Sequence, residues 1–158
     1  MTDFTIRTMT EADLPAVGEL AGRLVNLHHE LDSKRFMALP NAAVGYARYF
    51  ASERKNEDAV LIVAEKAKTI IGYAYGRIEP RSYNELRDEC GALHDVYVDE
   101  GARATGAGEA LVREIIDRLG KKGAPRVILL TAVQNESAQR LFTKLGFRTT
   151  MLEMTREM

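Results

Sequence analysis

The sequence lacks the features of disulfide-bonded, membrane-spanning and nucleic-acid-binding proteins. Its one cysteine among 158 residues rules out an internal disulfide and fits a reducing compartment. No apolar run approaches the ~20 residues needed to cross a bilayer, and the first residues show no basic-then-apolar signal pattern. A balance of 22 basic against 23 acidic residues removes the usual reason to expect nucleic acid or an anionic membrane as a partner. We therefore predict a cytoplasmic protein that binds neither.

The rest of the composition is that of a globular chain, with 46% hydrophobic and 28% charged residues. The length predicts one domain over residues 1–158. Hydrophobic periodicity and turn residues predict an order of elements that indicates a mixed sheet covered by helices. These elements are strand 3–8, helices 11–31 and 41–54, strands 59–64, 70–75 and 93–98, helix 106–119, strand 127–130, a helix from 135 that stops at 146, and one or two closing strands from 147 onward.

A glycine-containing loop between the strand at 93–98 and the next helix carries the most chemical information. It reads Arg103-Ala104-Thr105-Gly106-Ala107-Gly108. The first N–H groups of a helix have no partner inside the helix and carry partial positive charge. Glycines let the backbone approach phosphates closely, and Arg103 adds a fixed fork of donors. The loop is therefore a candidate pyrophosphate site, although two glycines can also serve only to make a tight strand-to-helix turn.

Two other phosphate-binding loops do not fit this segment. A dinucleotide-binding loop needs a third glycine where this chain has Leu111, and it follows the first strand of its domain. A Walker loop needs a Gly-Lys-Ser or Gly-Lys-Thr sequence, which does not follow here.

A second segment narrows the meaning of the loop. Asn135 begins a predicted helix that carries Ala138 and the aromatic Phe142 and ends in Leu-Gly-Phe at 145–147. This segment closely resembles a signature of the GNAT superfamily of acyl-CoA N-acyltransferases, and the loop matches that family's (Arg/Gln)-x-x-Gly-x-Gly/Ala element. The order of elements also matches across the chain. The resemblance implies an α/β (α+β) GNAT fold, with a mixed central sheet of about six or seven strands that is splayed at the CoA-binding strand.

The resemblance also implies acetyl-CoA as co-substrate, with no metal required. Backbone groups of Val96, Tyr97 and Val98 are then expected to line the pantetheine arm, as an added strand would. The pyrophosphate is expected on the N–H groups of the loop. Asn135 would contact the cofactor near its pantetheine end, next to Phe142, although asparagine is also a favoured helix N-cap. The cofactor-loop residues are Arg103, Ala104, Thr105, Gly106, Ala107 and Gly108.

One departure from the family's pattern concerns acid catalysis. The aromatic residue of this helix is commonly a tyrosine that protonates the leaving thiolate, whereas Phe142 has no proton to give. A thiol with a pKa of about 8.5 leaves as thiolate at a cost of only ~1–2 kcal/mol near neutral pH, so the loss should slow the reaction and not abolish it. Tyr97 or a water could substitute. His94 is the first candidate for the base, unless a neighbour simply satisfies it. Asp95 faces the other side of the sheet unless a bulge intervenes.

The same analogy places the amine acceptor between the end of the first helix and the loop at 81–85. The substrate-facing candidates are His28, His29, Asp32 and Tyr83. His28 and Asp32 are one helical turn apart, but the sequence offers no further metal ligands. We therefore expect an N-acetyltransferase in which the primary amine of a small molecule or peptide attacks acetyl-CoA directly in a ternary complex. The alternative is an acyl-CoA-binding regulatory module with weak or no turnover. Many relatives dimerise, so a homodimer is a further partner to test.

Overall fold

The computed structural model describes residues 2–158 and contains a five-stranded mixed sheet with helices on both faces. Short 3-10 helices at Glu11–Asp13 and Glu100–Ala102 precede the first and third α-helices. The strands are β1 Thr5–Thr8, β2 Ala59–Lys66, β3 Thr69–Glu79, β4 Cys90–Val98 and β5 Val127–Leu129, and the helices are α1 Leu14–Leu31, α2 Ala42–Glu53, α3 Ala107–Lys121 and α4 Glu136–Lys144.

The strands lie in the sheet in the same order as in the sequence. The first four pair antiparallel, because short connections join β2 to β3 and the loop after β3 returns the chain beside it. β5 pairs parallel to β4, after the crossover through α3. The β4–β5 pairing covers only Gly91 to Leu93 of β4, so the second half of β4 has no neighbour on that side.

The two faces of the sheet form two separate hydrophobic cores. Strand residues alternate between faces, so Tyr73 and Tyr75 point towards α1 and α2, while Ala74 between them points towards α3. On the α3 side, helical spacing brings Leu111 and Ile115 into the core, where both are fully buried. Phe142 of α4 joins this second core.

The mixed α/β architecture predicted from the sequence is confirmed, with one difference in the strand count. The expectation was six or seven strands, and the described residues form five. Residues 147–158, where one or two closing strands were predicted, contain no helix, strand or turn. Strand-forming side chains are not enough to make a strand, since the backbone must also find a hydrogen-bonded neighbour. None of the helices in residues 2–158 is both long and apolar enough to cross a membrane.

The contact between α1 and α2 depends on a glycine. A Cβ atom on Gly18 of α1 would collide with the backbone carbonyl group of Ala43 in α2. Backbone atoms cannot move aside as a flexible side chain can, so the two helices pack this closely only because residue 18 is glycine. By contrast, a Cβ on Gly45 of α2 would meet nothing within 4 Å.

We therefore expect opposite effects from two Gly→Ala substitutions. Gly18→Ala should lower the free energy of unfolding by about 1–3 kcal/mol, because the helices must separate. Gly45→Ala should raise it by up to about 1 kcal/mol, because alanine is the better helix former in open space. Urea unfolding of both variants measures this, and a Gly18→Ala protein as stable as wild type would contradict the close packing.

Candidate active site

The site is built around the gap where β4 and β5 separate. Pairing between the two strands ends at Leu93 and Leu129. The Asp99 N–H group donates to Ile71 O on β3 at 2.8 Å. Because backbone groups alternate in direction along a strand, those of Tyr97 also point towards β3 and those of Val96 and Val98 point into the gap. At the two valines expected to line the cofactor, the gap therefore presents backbone groups that have no partner on a neighbouring strand.

A β-bulge lies where the gap opens. Tyr75 pairs with Asp95 and Gly76 with Leu93, so His94 is the extra residue. An extra residue breaks the alternation of side chains. As a result His94 and Asp95 both reach the α1–α2 face, where His94 stacks on Tyr75 with ring centroids 5.4 Å apart. The sequence analysis placed Asp95 on the opposite face for a regular strand, and the bulge reverses that placement.

His94 is held by a carboxylate. Its Nε2 lies 2.7 Å from Oε1 of Glu79 on β3, and 42% of its side chain remains exposed. A carboxylate partner fixes the orientation of an imidazole ring. The arrangement suits a histidine that accepts a proton from an incoming group while a carboxylate steadies the resulting charge.

Asp95 sits beside His94 in a more enclosed setting. Its Oδ2 accepts a hydrogen bond from the Tyr73 hydroxyl at 2.9 Å. Burial raises the pKa of the Asp95 carboxyl, while the hydrogen bond from Tyr73 and the nearby His94 and His28 oppose that rise without cancelling it. Burial, and after it the charge of the same carboxylate, raises the pKa of the Tyr73 hydroxyl well above its ordinary value. Tyr73 therefore remains a proton donor to Asp95 throughout the ordinary pH range.

At the far end of β4, the loop predicted to hold phosphates has an unpaired backbone. Ala104 and Gly106 have φ angles of 63° and 89°, both in the left-handed region. In residues 2–158, the backbone N–H groups of six consecutive residues donate to no backbone acceptor, and the next one, of Ala110, donates to Gly106 O. Turns of this kind aim successive N–H groups into one concavity that suits an anion. The six residues are Ala104, Thr105, Gly106, Ala107, Gly108 and Glu109.

Side chains at both ends brace this loop. The Thr105 hydroxyl donates to Ala102 O at 2.6 Å. Arg103 Nε donates to Val98 O at 3.3 Å, and its guanidinium lies 5.5 Å from the centroid of the Tyr97 ring. Tyr97 is buried on the α1 face, and its hydroxyl accepts from Arg103 Nη2 at 3.4 Å. The arginine therefore links the predicted pyrophosphate loop to the strand that precedes it.

The remaining predicted cofactor residues lie on α4. Asn135 is the N-cap of this helix, with its Oδ1 accepting from the Ala138 N–H group at 3.2 Å. Its side-chain amide donates to no group among residues 2–158. Phe142 is buried in the α3-side core and meets Phe147 edge to face at 5.9 Å. Tyr97 lies on the opposite face of the sheet from Phe142, so its hydroxyl does not stand where a hydroxyl on residue 142 would.

The substrate-facing candidates divide into those near the bulge and those outside it. His28 lies near enough for its charge to act on Asp95, and its Nδ1 is 2.9 Å from Leu24 O. His29 Nδ1 is 2.8 Å from Phe36 O. Asp32 ends α1, and its Oδ1 accepts the N–H groups of the next loop. These bonds shape the loop after α1 and leave only His28 next to the bulge.

Tyr83 is 80% exposed in the loop after β3, and the structure records no contact between it and the bulge residues. A cavity of about 270 Å3 does adjoin the predicted cofactor loop, between that loop and α1. Its lining residues are Arg23, Asn26, Leu27, Glu30, Tyr97, Asp99, Glu100 and Arg103.

The sequence analysis did not identify Glu79, Tyr73 and Tyr75 as site residues. All three are on β3, and only the strand register brings them against the β4 bulge. Alternation within β3 was the available signal, since Tyr73, Tyr75 and Glu79 are separated by even numbers of residues. That pattern gives the shared face, whereas the position of the bulge on the next strand has no signature in the sequence.

Comparison with known proteins decides the family. The model of the Acetyltransferase (GNAT) family matches residues 24–147 of this chain. The chain belongs to the GNAT acetyltransferase family.

Two relatives and one solved structure are similar to this GNAT protein over different shares of the chain. It is 30% identical over 150 residues to glucosamine 6-phosphate N-acetyltransferase of Trypanosoma brucei brucei, which covers 94% of this chain and 91% of that protein. It is 37% identical over 57 residues to D-amino-acid N-acetyltransferase HPA3 of Saccharomyces cerevisiae, spanning 36% of this chain and only 35% of the yeast protein. The crystal structure of a transcriptional regulator from Bacillus halodurans C-125 matches with a TM-score of 0.76 and 26% identity, covering 98% of this chain and 99% of that one.

The GNAT family uses acetyl-CoA. Among residues 2–158, no three side chains of His, Cys, Asp or Glu converge closely enough to hold a metal ion. The pair His28 and Asp32, one turn apart in the sequence, instead makes separate bonds to local backbone groups.

The raised pKa of Asp95 predicts how the free energy of unfolding changes with pH. An unfolded aspartate has a pKa of about 3.9. Between that pH and the higher folded pKa, the folded protein holds a proton that the unfolded chain releases, so the free energy of unfolding falls as pH rises through this interval. Asp95→Asn removes the buried charge, since the asparagine oxygen can still accept from Tyr73. Its melting temperature should therefore exceed that of wild type at neutral pH, and the difference should shrink towards pH ~4.

Asp13 provides a control of opposite sign. The hydrogen bond from Arg7 lowers the pKa of the Asp13 carboxyl, so this group contributes stability above the unfolded pKa of about 3.9 and loses it as pH falls through the folded value. Asp13→Asn should therefore lower the melting temperature at neutral pH. An Asp95→Asn protein that melts below wild type at neutral pH and above it in acid would contradict the assignment.

Proposed function

We propose that this protein is an N-acetyltransferase that transfers the acetyl group of acetyl-CoA to the primary amine of a small molecule or peptide. The observation that carries the proposal is the run of six unpaired N–H groups from Ala104 to Glu109, placed directly after a strand that has lost its neighbour. The first feature suits a pyrophosphate, and the second suits an extended arm with amide groups. Membership of the GNAT family joins the two into one CoA-shaped site.

The reaction is a direct transfer in a ternary complex. A neutral amine attacks the thioester carbonyl carbon, the carbon–sulfur bond breaks, and CoA leaves as the thiolate. A backbone N–H group of Val96 or Val98 in the gap stabilises the negative charge that develops on the carbonyl oxygen. No residue of the protein is acylated in this scheme.

His94 is proposed as the base, with Glu79 as the residue that orients it. An amine similar to lysine, with a pKa of about 10.4, costs roughly 4–5 kcal/mol to deprotonate at pH 7, so such an acceptor needs a proton path. His94 stands at the bulge, where the gap begins, and part of its ring is open to solvent. Asp95 then attracts the ammonium form of the acceptor before the proton is lost.

The charges around the proposed acceptor position, at the β4 bulge and the end of α1, favour a cationic amine over a phosphorylated one. Asp95 contributes negative charge beside His94, and Glu30 and Asp32 add negative charge at the end of α1. Four arginines on β3 and on the loops after α1 and β3 already bind carboxylates, so a phosphate that used any of them would have to break such a pair. The pairs are Arg35–Glu153, Arg77–Glu53, Arg77–Glu79, Arg81–Asp88 and Arg87–Glu85. The Trypanosoma relative acts on a phosphorylated sugar, so we propose that this chain differs from it in acceptor.

The assignment of this loop to CoA binding can be tested by introducing one negative charge at Gly108. A Cβ on Gly108 would make only ordinary contacts, with Val98 at 3.7 Å and Leu141 at 3.9 Å, and an acidic residue in the first turn favours the helix. Gly108→Asp should therefore fold normally while its carboxylate repels the phosphates, weakening CoA binding by about tenfold or more. Calorimetric titration with CoA measures this affinity.

Gly120→Asp is the matched control, because it adds the same charge to the same helix at a position with open space. It should leave CoA affinity unchanged. Equal affinity of wild type and Gly108→Asp for CoA would refute the loop assignment, whatever the acceptor is.

Turnover is tested by following thiol release from acetyl-CoA with a panel of amines. We expect release with cationic amines that carry no phosphate, and less with glucosamine 6-phosphate. His94→Gln, which can still bond to Glu79, should lower kcat by about 10²–10⁴. A His94→Gln enzyme with wild-type kcat would exclude His94 as the base.

A second candidate is an acyl-CoA-binding regulatory module with little turnover. Two observations favour it: Phe142 has no hydroxyl to protonate the thiolate, and the Bacillus halodurans protein of the same fold is described as a transcriptional regulator. Saturable binding of acetyl-CoA with no thiol release for any amine would favour the module. Release with even one class of amine would favour the enzyme.

A further inference from the structure

Glu53, the last residue of α2, carries a buried carboxylate that the proposed mechanism does not use. The residue is only 9% exposed. Its Oε2 accepts a hydrogen bond from the Tyr75 hydroxyl on β3 at 2.6 Å and lies 3.5 Å from Nη1 of Arg77 on the same strand. A buried charge needs such partners, because it has lost its contact with water. Burial, and after it the hydrogen bond to Glu53, raises the pKa of the Tyr75 hydroxyl, which therefore remains a donor throughout the ordinary pH range.

Arg77 lies between two carboxylates. Its Nη1 is 3.5 Å from Glu53 Oε2, and its Nε is 3.3 Å from Glu79 Oε1. Both distances exceed the roughly 2.7–2.9 Å of a strong charge-assisted hydrogen bond. The guanidinium is therefore shared between Glu53 and Glu79 and is committed to neither. Its position depends on the charge of both.

The oxygen of Glu79 that faces Arg77 is also the one that binds the proposed base. Glu79 Oε1 lies 2.7 Å from His94 Nε2. An ionised carboxylate can only accept, so Nε2 carries the hydrogen and a neutral His94 has its lone pair on Nδ1. That lone pair is then the atom that takes the proton of the amine. Arg77 and His94 compete for one oxygen, and the guanidinium is the stronger competitor because it is always charged.

We propose that Glu53 is a positioning residue for His94, because its charge holds Arg77 back and so leaves Glu79 Oε1 to the imidazole. The inference rests on the proposed role of His94 as the base. Tyr75 supplies a second connection, since its hydroxyl is fixed by Glu53 while its ring stacks on His94 with an interplanar angle of 28°. Through β3, α2 thus controls the orientation of a histidine that Glu53 itself does not touch.

The alternative is that Glu53 only satisfies the buried hydroxyl of Tyr75. Glu53→Gln separates the two roles, because the glutamine oxygen can still accept from Tyr75 while the charge that attracts Arg77 is gone. In a purely structural role the variant would keep the rate. In a positioning role Arg77 moves onto Glu79 and displaces His94.

The kinetic test compares wild type, both single variants and the double variant. Glu53→Gln should lower kcat by about tenfold or more while CoA affinity stays at the wild-type value. Adding Arg77→Gln to Glu53→Gln should recover the rate, because no guanidinium is left to compete for Glu79. This cycle isolates the coupling between the two residues. Glu57→Gln is the matched control, since it neutralises an exposed carboxylate four positions further on and should leave kcat unchanged. Thermal melts check that each variant is folded.

Nuclear magnetic resonance of isotope-labelled histidine reads the position of His94 without any turnover. The chain has three histidines, and His94→Gln identifies the signals of His94. Spectra are recorded above about pH 8, where an imidazole with the ordinary pKa of about 6.5 is neutral. Wild type and the double variant should carry the hydrogen of His94 on Nε2, and Glu53→Gln should show both tautomers.

Two results would overturn the positioning role of Glu53. One is a Glu53→Gln protein whose His94 spectrum and kcat equal those of wild type. The other is a rate that Glu53→Gln lowers and that the added Arg77→Gln does not recover. A wild-type protein that acetylates no amine would instead count against the proposed function, and the spectra alone would then decide whether Glu53 positions His94.

Discussion

The rest of the site depends on the loss of pairing between β4 and β5 after Leu93. Up to that residue β4 is an ordinary central strand, bonded on both sides. Beyond it β4 pairs only with β3, and the backbone groups of Val96 and Val98 point into the gap on the other side. An unpaired strand edge inside a protein is costly unless something else occupies it. In this chain the edge leads directly to the loop with six free N–H groups, so one continuous stretch of open backbone runs from strand to helix.

The bulge at His94 places two ionisable side chains, those of His94 and Asp95, beside this open stretch of backbone. A regular strand would send His94 and Asp95 to opposite faces, with one of them in the α3-side core. The extra residue puts both on the α1–α2 face, against Tyr73, Tyr75 and Glu79. Partial burial then gives the two groups different properties, because Asp95 is enclosed and His94 is partly open. One irregularity in hydrogen bonding thus places the proposed base and a neighbouring carboxyl group on the same face of the sheet.

Sequence patterns predicted the elements well because most of them depend on local chemistry. The helix at α3 follows from the spacing of Leu111, Ile115 and Leu119, and the α4 N-cap follows from Asn135. The closing strands were not found, because a strand also needs a neighbour and residues 148–158 have none within the chain. The face of Asp95 was left dependent on whether a bulge intervenes, because the register slip that makes the bulge is decided between two strands and not within one.

The two faces of the sheet also decide which side chain could protonate the leaving thiolate in place of Phe142, which has no hydroxyl. Phe142 belongs to the α3-side core, whereas Tyr97, His94 and Asp95 belong to the α1–α2 side. A hydroxyl on residue 142 and one on Tyr97 would therefore approach the gap from opposite directions. The Tyr97 hydroxyl also accepts a hydrogen bond from Arg103, which begins the predicted phosphate loop. In the proposed mechanism, the proton for the departing thiolate is therefore the one that His94 takes from the amine, because neither Phe142 nor Tyr97 offers a hydroxyl at the position that the family's tyrosine occupies.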